Sequence, residues 1–504
     1  ELRRSGNSWA ALCHFHDEKT PSFRLDHQRG LYYCFGCHKG GDAIGFYMEI
    51  ENMDFKQAVE SLCERVGLPR PSWSSKGGSS EGESKARAEI QKALHLASTL
   101  YAEALLMRED PPSERARSYC LNARQLERKI IQGYHIGFAP QGANWLTTTL
   151  VTKHGIEPGI LAKAGLVAVS SKDGRYIDFF RGRIVFPVID LQGKVCGFGG
   201  RILPQEIVPA MGQGASLRPG PSFGNEGPKY LNSPDTAFFK KGETLYGLAQ
   251  HKSYIREANK AYIVEGYFDV AGLAQAGITL AVSPMGGALT LAHAKILARF
   301  AKTIVLVFDP DAAGISSAIR AGRILLSQGL EVRVMHLPSG LDPDEFAHAH
   351  GRQAFFDLEA KGSKALVDFE LESYLAGRSL AVFSVSERLA LAKRLLPTMA
   401  VMSGEIEARE AVTRVAQALR LDLVGLEREL WRFSSDSSSR GSAYGAQGAT
   451  SSARGGRAKP AGAPADSFAQ SGARALSLEE SLLGMAAVNP DAVRRVLQSH
   501  GVGK

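Results

Sequence analysis

Residues 261–269 read Ala-Tyr-Ile-Val-Glu-Gly-Tyr-Phe-Asp, and residues 303–311 read Thr-Ile-Val-Leu-Val-Phe-Asp-Pro-Asp. Each is a short apolar run, rich in β-branched residues, that ends in carboxylates with a glycine or proline among them. A run that is apolar throughout, rather than alternating, is the pattern of a parallel strand buried on both faces. In open α/β sheets ligands bind beyond the carboxyl ends of such strands. Glu265, Asp269, Asp309 and Asp311 are therefore expected to share one crevice. A third run, 332–337, leads into Leu341-Asp342-Pro343-Asp344 and adds two more acids. Six carboxylates on one sheet edge repel one another unless cations bind among them, and hard oxygen ligands suit Mg²⁺ or Mn²⁺. In an extended segment residues i and i+2 point the same way, so Asp309 and Asp311 are expected to grip one ion, with Glu265 holding a second or taking a proton.

Helical patterns at 270–276, 291–300 and 315–328 alternate with these runs and with a further strand at 280–283. That alternation specifies a parallel sheet flanked by helices over residues 259–345. Upstream, residues 85–258 read as a mixed α/β, basic subdomain. It has helices at 85–107 and 115–132, a turn at Gly137-Phe138-Ala139-Pro140, and a β-hairpin of 184–189 and 195–198 about Gln192-Gly193. Gly199-Gly200-Arg201 offers backbone N–H groups and a guanidinium of the kind that bind phosphate. The Pro- and Gly-rich stretch 204–227 reads as an irregular loop without chemistry.

Residues 1–68 carry a second constellation. Cys13 and His16 stand as C-x₂-H, and Cys34 and Cys37 as C-x₂-C. Four soft ligands in two such pairs make the closed tetrahedral shell of one structural zinc ion, with His14 and His38 as neighbours outside it. Cys63, Cys120 and Cys196 lack partners at such spacing and read as packing residues. Trp9, Phe15, Phe23, Tyr32, Tyr33, Phe35, Phe46 and Tyr47 are interleaved with Arg24, Arg29 and Lys39. Rings among cations hold single strands by stacking and phosphate pairing, although about half of these rings are needed for the core of so small a module.

The remaining chain separates by composition. Residues 69–84 read as a flexible linker, 346–433 as a helical subdomain with helices at 363–375, 385–396 and 406–433, 434–474 as a disordered linker, and 475–504 as a last segment with one more helical stretch at 475–498. The chain of 504 residues is long enough for two to four domains. Its 60 Lys and Arg against 52 Asp and Glu give a net charge of +8, which leans toward a polyanionic partner. Six cysteines do not make a disulfide scaffold and fit a reducing cytoplasm. The uncharged run 270–292 contains Gln275, Ser283, Pro284 and Gly286-Gly287, and reads as a helix and a strand buried in the α/β domain rather than as a membrane span. The chain opens at Glu1 rather than Met and is expected to be a fragment.

On these residues the chain resembles the bacterial DnaG-type primases, from about residue 1 to the middle of the 400s, with a short piece near the end. The carrying motifs are Cys13 through Phe23, Tyr33-Cys34-Phe35-Gly36-Cys37 with Gly41-Asp42, Arg181-Gly182-Arg183-Ile184-Val185-Phe186-Pro187, Gly197-Phe198-Gly199-Gly200-Arg201, Lys229-Tyr230-Leu231-Asn232-Ser233-Pro234, Val264-Glu265-Gly266-Tyr267-Phe268-Asp269, and Phe308-Asp309-Pro310-Asp311 with Ala313-Gly314. His14 departs from the family, which has Pro there. The resemblance implies a multidomain α+β and α/β protein: a zinc-ribbon module of the CHC2 type, a basic subdomain, a Toprim catalytic subdomain and a helical subdomain.

It further implies synthesis of short RNA primers on single-stranded DNA from ribonucleoside triphosphates by metal-dependent nucleotidyl transfer. Glu265, Asp309 and Asp311 would hold two or more Mg²⁺ or Mn²⁺ ions, and Asp269, Asp342 and Asp344 would complete the shell. Arg201, Lys229, Tyr230, Asn232 and Lys241 would form a basic ridge for template and nucleotide, joined by Arg181 and Arg183. The protein is expected to be a cytoplasmic monomer at the replication fork. The replicative helicase would meet its end, of which only the first helix of the helicase-binding domain is expected here. The rival classes are a Toprim-type nuclease or topoisomerase and a non-catalytic DNA-binding adaptor.

Overall fold

The computed structural model describes residues 3–5, 8–16, 18–26, 31–51, 55–65, 81–170, 174–204, 228–286, 288–338, 341–402 and 404–439. The expectations for the loop at 205–227, for the chain beyond 439 and for most of the 69–84 linker lie outside these residues. Residues up to 80 and residues 81–439 fall in separate compact units, each described by itself.

In the first unit five short strands form one antiparallel sheet in chain order, Arg3–Ser5, Ser8–Ala11, Phe23–Asp26, Leu31–Cys34 and Gly40–Asp42. Helices Ala43–Glu51 and Phe55–Arg65 follow. Phe15, Phe23, Tyr32 and Phe46 pack ring against ring with centroids 5.0–5.7 Å apart, two pairs edge-on, one stacked and two tilted between these, at separations where aromatic quadrupoles attract. Tyr33 and Phe35 stay outside that core, 40% and 64% exposed.

The second unit is built about a six-stranded sheet with the order Leu245–Tyr246, Ala281–Pro284, Lys260–Ile263, Thr303–Val307, Glu331–Met335 and Lys364–Ala365. The four inner strands are parallel and the two edges antiparallel, so both edge strands come from outside 259–345. Alternate residues face opposite ways along a strand. Tyr262, Val264, Val305, Val307 and Met335 enter one core with Phe186 and Phe268, while Ala261, Ile263, Ile304, Leu306, Val332 and Val334 enter another with the helix Ala312–Leu326. This two-sided burial is why the runs are apolar throughout.

A second sheet, ordered Tyr230–Asn232, Val195–Ile202, Arg183–Ile189 and Gly137–Ala139, packs with the long helix Glu81–Leu106 in the upstream subdomain. Helices Leu366–Leu375, Val385–Ala400, Glu405–Leu419 and Leu423–Ser439 make the helical subdomain. No helix among the described residues is long and apolar enough to cross a membrane.

Several local expectations are corrected. Gly137-Phe138-Ala139 is a buried strand rather than a turn; a Cβ at Gly137 would lie 2.5 Å from the Tyr101 carbonyl carbon, so the glycine serves packing and not a bend. The continuous helix expected at 115–132 is Pro111–Ser118, a π-helical turn Tyr119–Ala123 and a separate helix Arg128–Gly133. The single helix at 406–433 is two, divided at Arg420 in the left-handed region (φ 51°). The helix Pro343–Gly362, broken at Gly351 (φ 80°), went unread.

Candidate metal centres and nucleic-acid surface

In the first unit the ligand atoms of Cys13, His16, Cys34 and Cys37 all lie within 4.8 Å of one another. Cys13 Sγ stands 3.8 Å from Cys37 Sγ, and Cys34 Sγ 3.7 Å from His16 Nδ1. A tetrahedral zinc ion with bonds of about 2.3 Å to sulfur sets its ligands at about these separations. Backbone N–H groups of Phe15 and Cys37 donate to Cys13 Sγ (3.3 Å) and Cys34 Sγ (3.4 Å). Burial raises the Cys34 thiol, but hydrogen bonds led by Ser22 outweigh it and hold the group at about 6; burial pushes Cys13 up to about 11. His14 packs edge-on against Phe23 and Phe46, and His38 meets Tyr33 Oη, so neither neighbour joins the cluster. Cys63, Cys120 and Cys196 are buried packing residues.

Glu18 was missed in the sequence. Its carboxylate lies 3.3 Å from His16 Nε2 and accepts the N–H groups of Cys13 and Ser22 at 2.7 and 3.1 Å. A carboxylate on the outer nitrogen fixes the ring so that Nδ1 faces the sulfurs.

In the second unit the strands Lys260–Ile263 and Thr303–Val307 are neighbours, with Ile263 opposite Leu306. Glu265 and Asp309 therefore emerge side by side, and Glu265 Oε1 accepts the Asp309 N–H at 3.2 Å. Asp311 caps the helix Ala312–Leu326, its Oδ1 accepting the Gly314 N–H at 2.6 Å. Asp269 lies in the first turn of the helix Tyr267–Gln275 and accepts the Gly266 N–H at 2.8 Å. Asp342 and Asp344 sit at the start of Pro343–Gly362. Helix N-termini favour carboxylates, which is why three helices deliver acids here.

The tightest convergence is Asp269, Asp342 and Asp344, with one oxygen of each within 4.8 Å of the others. It depends on Gly272, where a Cβ would stand 2.4 Å from Asp344 Cβ. Asp269 and Asp344 are 8% and 6% exposed. Burial raises the carboxyl pKa of both; repulsion from Asp344 adds to the rise at Asp269, whereas at Asp344 the Arg124 guanidinium opposes the rise and Asp342 adds to it. Asp344 Oδ1 is buried with no hydrogen-bond partner. A buried carboxylate oxygen so placed is costly unless something positive binds it, so the donor set fits a divalent cation.

Glu265, Asp309 and Asp311 stand outside that trio but in its field. Glu265 is raised by burial and by Asp309, Asp311 and Asp342, and Asp309 by burial, Asp342 and Asp311, with Lys229 opposing.

The basic residues divide by their surroundings. Lys229 and Arg181 are exposed. Lys241 Nζ donates to Gly286 O at 3.2 Å. Asn232 is committed at both ends, its Nδ2 donating to Met285 O at 2.7 Å and its Oδ1 accepting from Tyr267 Oη. Arg183 is buried and donates to Pro228 O at 3.0 Å. Arg201 is 8% exposed, lies over Tyr119, Tyr230 and Phe268, and donates to Tyr230 Oη at 3.2 Å. Gly199 and Gly200 lie in the middle of the upstream sheet, paired with Phe186 and Val185 on one side and Asn232 and Leu231 on the other. Their backbone serves the ladder rather than a phosphate, and they are glycine because a Cβ would meet Tyr267 at 2.5 Å and Phe180 at 2.6 Å. Arg124, also unread in the sequence, reaches the acid trio from the upstream subdomain, 3.4 Å from Asp344 and 3.8 Å from Asp342.

An acid-lined carboxyl edge on a parallel sheet, in a chain that also carries a zinc-type Cys/His cluster, defines a metal-dependent enzyme. Residues 1–76 match the CHC2 zinc finger, 101–252 the N-terminal domain of the DNA primase catalytic core, and 262–347 the Toprim-like family. The chain is 32% identical to a DNA primase of Halalkalibacterium halodurans over 432 residues, covering 86% of this chain and 67% of that protein. It is 35% identical to a DNA primase of Pseudomonas putida over 375 residues, covering 74% and 53%. Among solved structures it is similar to a DnaG primase catalytic domain bound to single-stranded DNA, with TM-score 0.55 and 31% identity, covering 68% of this chain and 99% of that one. The chain belongs to the DNA primase family. It spans between about half and two thirds of the length of these curated relatives.

Proposed function

We propose that this chain makes short RNA primers on single-stranded DNA, joining ribonucleotides at the acid edge of its parallel sheet. The observations that carry the proposal are the convergence of Asp269, Asp342 and Asp344 and the buried Asp344 Oδ1 without a hydrogen-bond partner, beside Glu265 and Asp309 at neighbouring strand ends and Asp311 at the start of the next helix. In the reaction a 3′-hydroxyl attacks the α-phosphorus of an incoming triphosphate and pyrophosphate leaves. Bound Mg²⁺ or Mn²⁺, two ions in this reading, would neutralise the phosphates and the leaving group. Asp269, Asp342 and Asp344 would hold one such ion, and Asp309 with the Asp311 oxygen that does not cap its helix would hold the other. Glu265, whose pKa is raised by burial and neighbouring acids, takes up the proton of the attacking hydroxyl. Exposed Lys229, close enough to Asp309 to lower its pKa, receives the triphosphate.

The zinc module contributes template contacts. Exposed Tyr33 and Phe35 border a groove of about 610 Å³ with Arg24 and His38, a setting for base stacking and phosphate pairing. The similar primase catalytic domain that is bound to single-stranded DNA supports the template class. A cytoplasmic place at the replication fork follows from this reading. The expected helicase contact rests on residues outside those described.

Incubation with single-stranded DNA, labelled ribonucleotides and Mg²⁺ tests the proposal. New RNA that disappears with EDTA supports it; cut or relaxed DNA points to the Toprim nuclease class, and binding alone to the adaptor.

A further inference from the structure

Arg124 follows the π-helical turn Tyr119–Ala123 in the upstream subdomain, yet its guanidinium ends among the Toprim acids. Nη1 stands 3.4 Å from Asp344 Oδ2 and 3.8 Å from Asp342 Oδ2. Nε donates to Tyr119 Oη at 3.2 Å, and the guanidinium carbon lies 4.9 Å from the centre of the Phe268 ring. Only 15% of the side chain is exposed. The loop behind it is locked as well. Gln275, on the helix that carries Asp269, donates to Gln125 O at 2.8 Å and accepts the Glu127 N–H at 2.7 Å. Arg124 is thus held in a fixed pose by an aromatic face, a phenol and a neighbouring loop.

We infer that Arg124 is the resident cation of the Asp269–Asp342–Asp344 trio: it occupies part of the space and charge that a second metal ion would need, and keeps the trio's single divalent ion exchangeable. The trio's three negative charges, less one for the guanidinium, leave the two that one divalent ion neutralises. A guanidinium cannot be released or deprotonated, so this part of the compensation is permanent. An ion bound by the trio also sits beside a like charge, which weakens its hold. In a reaction that must pass pyrophosphate and its accompanying ion out of the site, a weakly held ion is an advantage. The inference rests on the proposed reading of the trio as a cation site.

The test is a titration of the full chain with Mn²⁺ alone, followed by electron paramagnetic resonance, for the wild type, Arg124→Gln, Arg124→Lys and Asp344→Asn. The wild type should bind a Mn²⁺ ion that Asp344→Asn loses. Arg124→Gln should bind that ion about tenfold more tightly, because a unit positive charge has been removed within a few ångströms of it. Arg124→Lys, which keeps the charge, should stay near the wild type. If Arg124 merely braced Asp344, the glutamine variant would bind more weakly, so the sign separates the two roles. Unchanged or weaker binding by folded Arg124→Gln overturns the inference while leaving the cation site standing. A wild type with no ion that Asp344→Asn removes overturns both. Should Arg124→Gln not fold, Tyr119→Phe frees the Nε anchor and should tighten Mn²⁺ about threefold, the equivalent of one modest hydrogen bond; no change there contradicts the inference equally.

Discussion

Glu265 Oε1 accepts the backbone N–H of Asp309 at 3.2 Å, tying the side chain at one strand end to the backbone at the next. An amide oxygen can make the same bond. Glu265→Gln should therefore keep the fold, with the thermal midpoint moving by about 2 °C or less. Primer synthesis should fall by about a hundredfold or more, since the charge and the proton acceptor are gone. Steady-state primer yield and a thermal melt on the same sample check the two halves together.

Gly272 gives the trio its geometry. A methyl group there collides with Asp344 Cβ at 2.4 Å and with its Cα at 3.2 Å, both on the far helix rather than on a flexible tip. Gly272→Ala should displace Asp344, cost about 1–3 kcal/mol of stability through overpacking, and lower Mn²⁺ affinity. Calorimetric titration with Mn²⁺ measures it, and wild-type affinity in the alanine variant would remove Asp344 from the ion site.

The raised carboxyl groups of Asp269 and Asp344 set a pH dependence. Their folded pKa values lie above the ordinary value of about 4. Between the two, the native state binds more protons than the unfolded one, so stability falls as pH rises through that window. In EDTA the thermal midpoint should accordingly be lower at about pH 7.5 than at about pH 5, and Asp269→Asn should flatten the slope. Mn²⁺ should recover the loss at the higher pH and do little at the lower. Melting curves at the two pH values, with and without the ion, check the sign.

Glu18 orients His16 through Nε2 and also binds the Cys13 and Ser22 backbone. Glu18→Ala should weaken zinc binding by about 10- to 100-fold, the usual cost of losing a ligand's outer partner. Cys34→Ser should release zinc outright. Zinc content after dialysis against a graded chelator series distinguishes the two, and retention of zinc by Cys34→Ser would rule out the ligand set.

The strands and the Cys13, His16, Cys34 and Cys37 cluster were legible because their signals are local: apolar runs ending in acids, and paired Cys and His across tight turns. Asp342 and Asp344 were legible as acids, but not the helix they begin, because Gly351 interrupts its pattern. Gly137-Phe138-Ala139-Pro140 looked like a turn from composition, while the reason for Gly137 is a contact with Tyr101 that no local pattern reveals. Arg124 and Glu18 belong to no spacing that marks chemistry. Arg124 acquires its meaning from Asp344, 220 residues away, and Glu18 from the pose of one imidazole ring. Arg183 and Asn232 show the converse, since each donates to the protein's own carbonyls and Asn232 also accepts from a phenol, whereas Arg201 donates to Tyr230 Oη but keeps a buried Nε without a partner.

The clustered carboxylates stand or fall as a metal-dependent centre for RNA synthesis on a comparison of the wild type with Asp309→Ala. Labelled RNA made on single-stranded DNA by each, with Mg²⁺ or Mn²⁺ present, is measured alongside the DNA affinity of each. The wild type should make short RNA only with the divalent ion, and the variant should lose about two orders of magnitude of synthesis or more while binding DNA as before. Full synthesis by Asp309→Ala, or DNA cleavage without RNA by the wild type, would overturn that assignment.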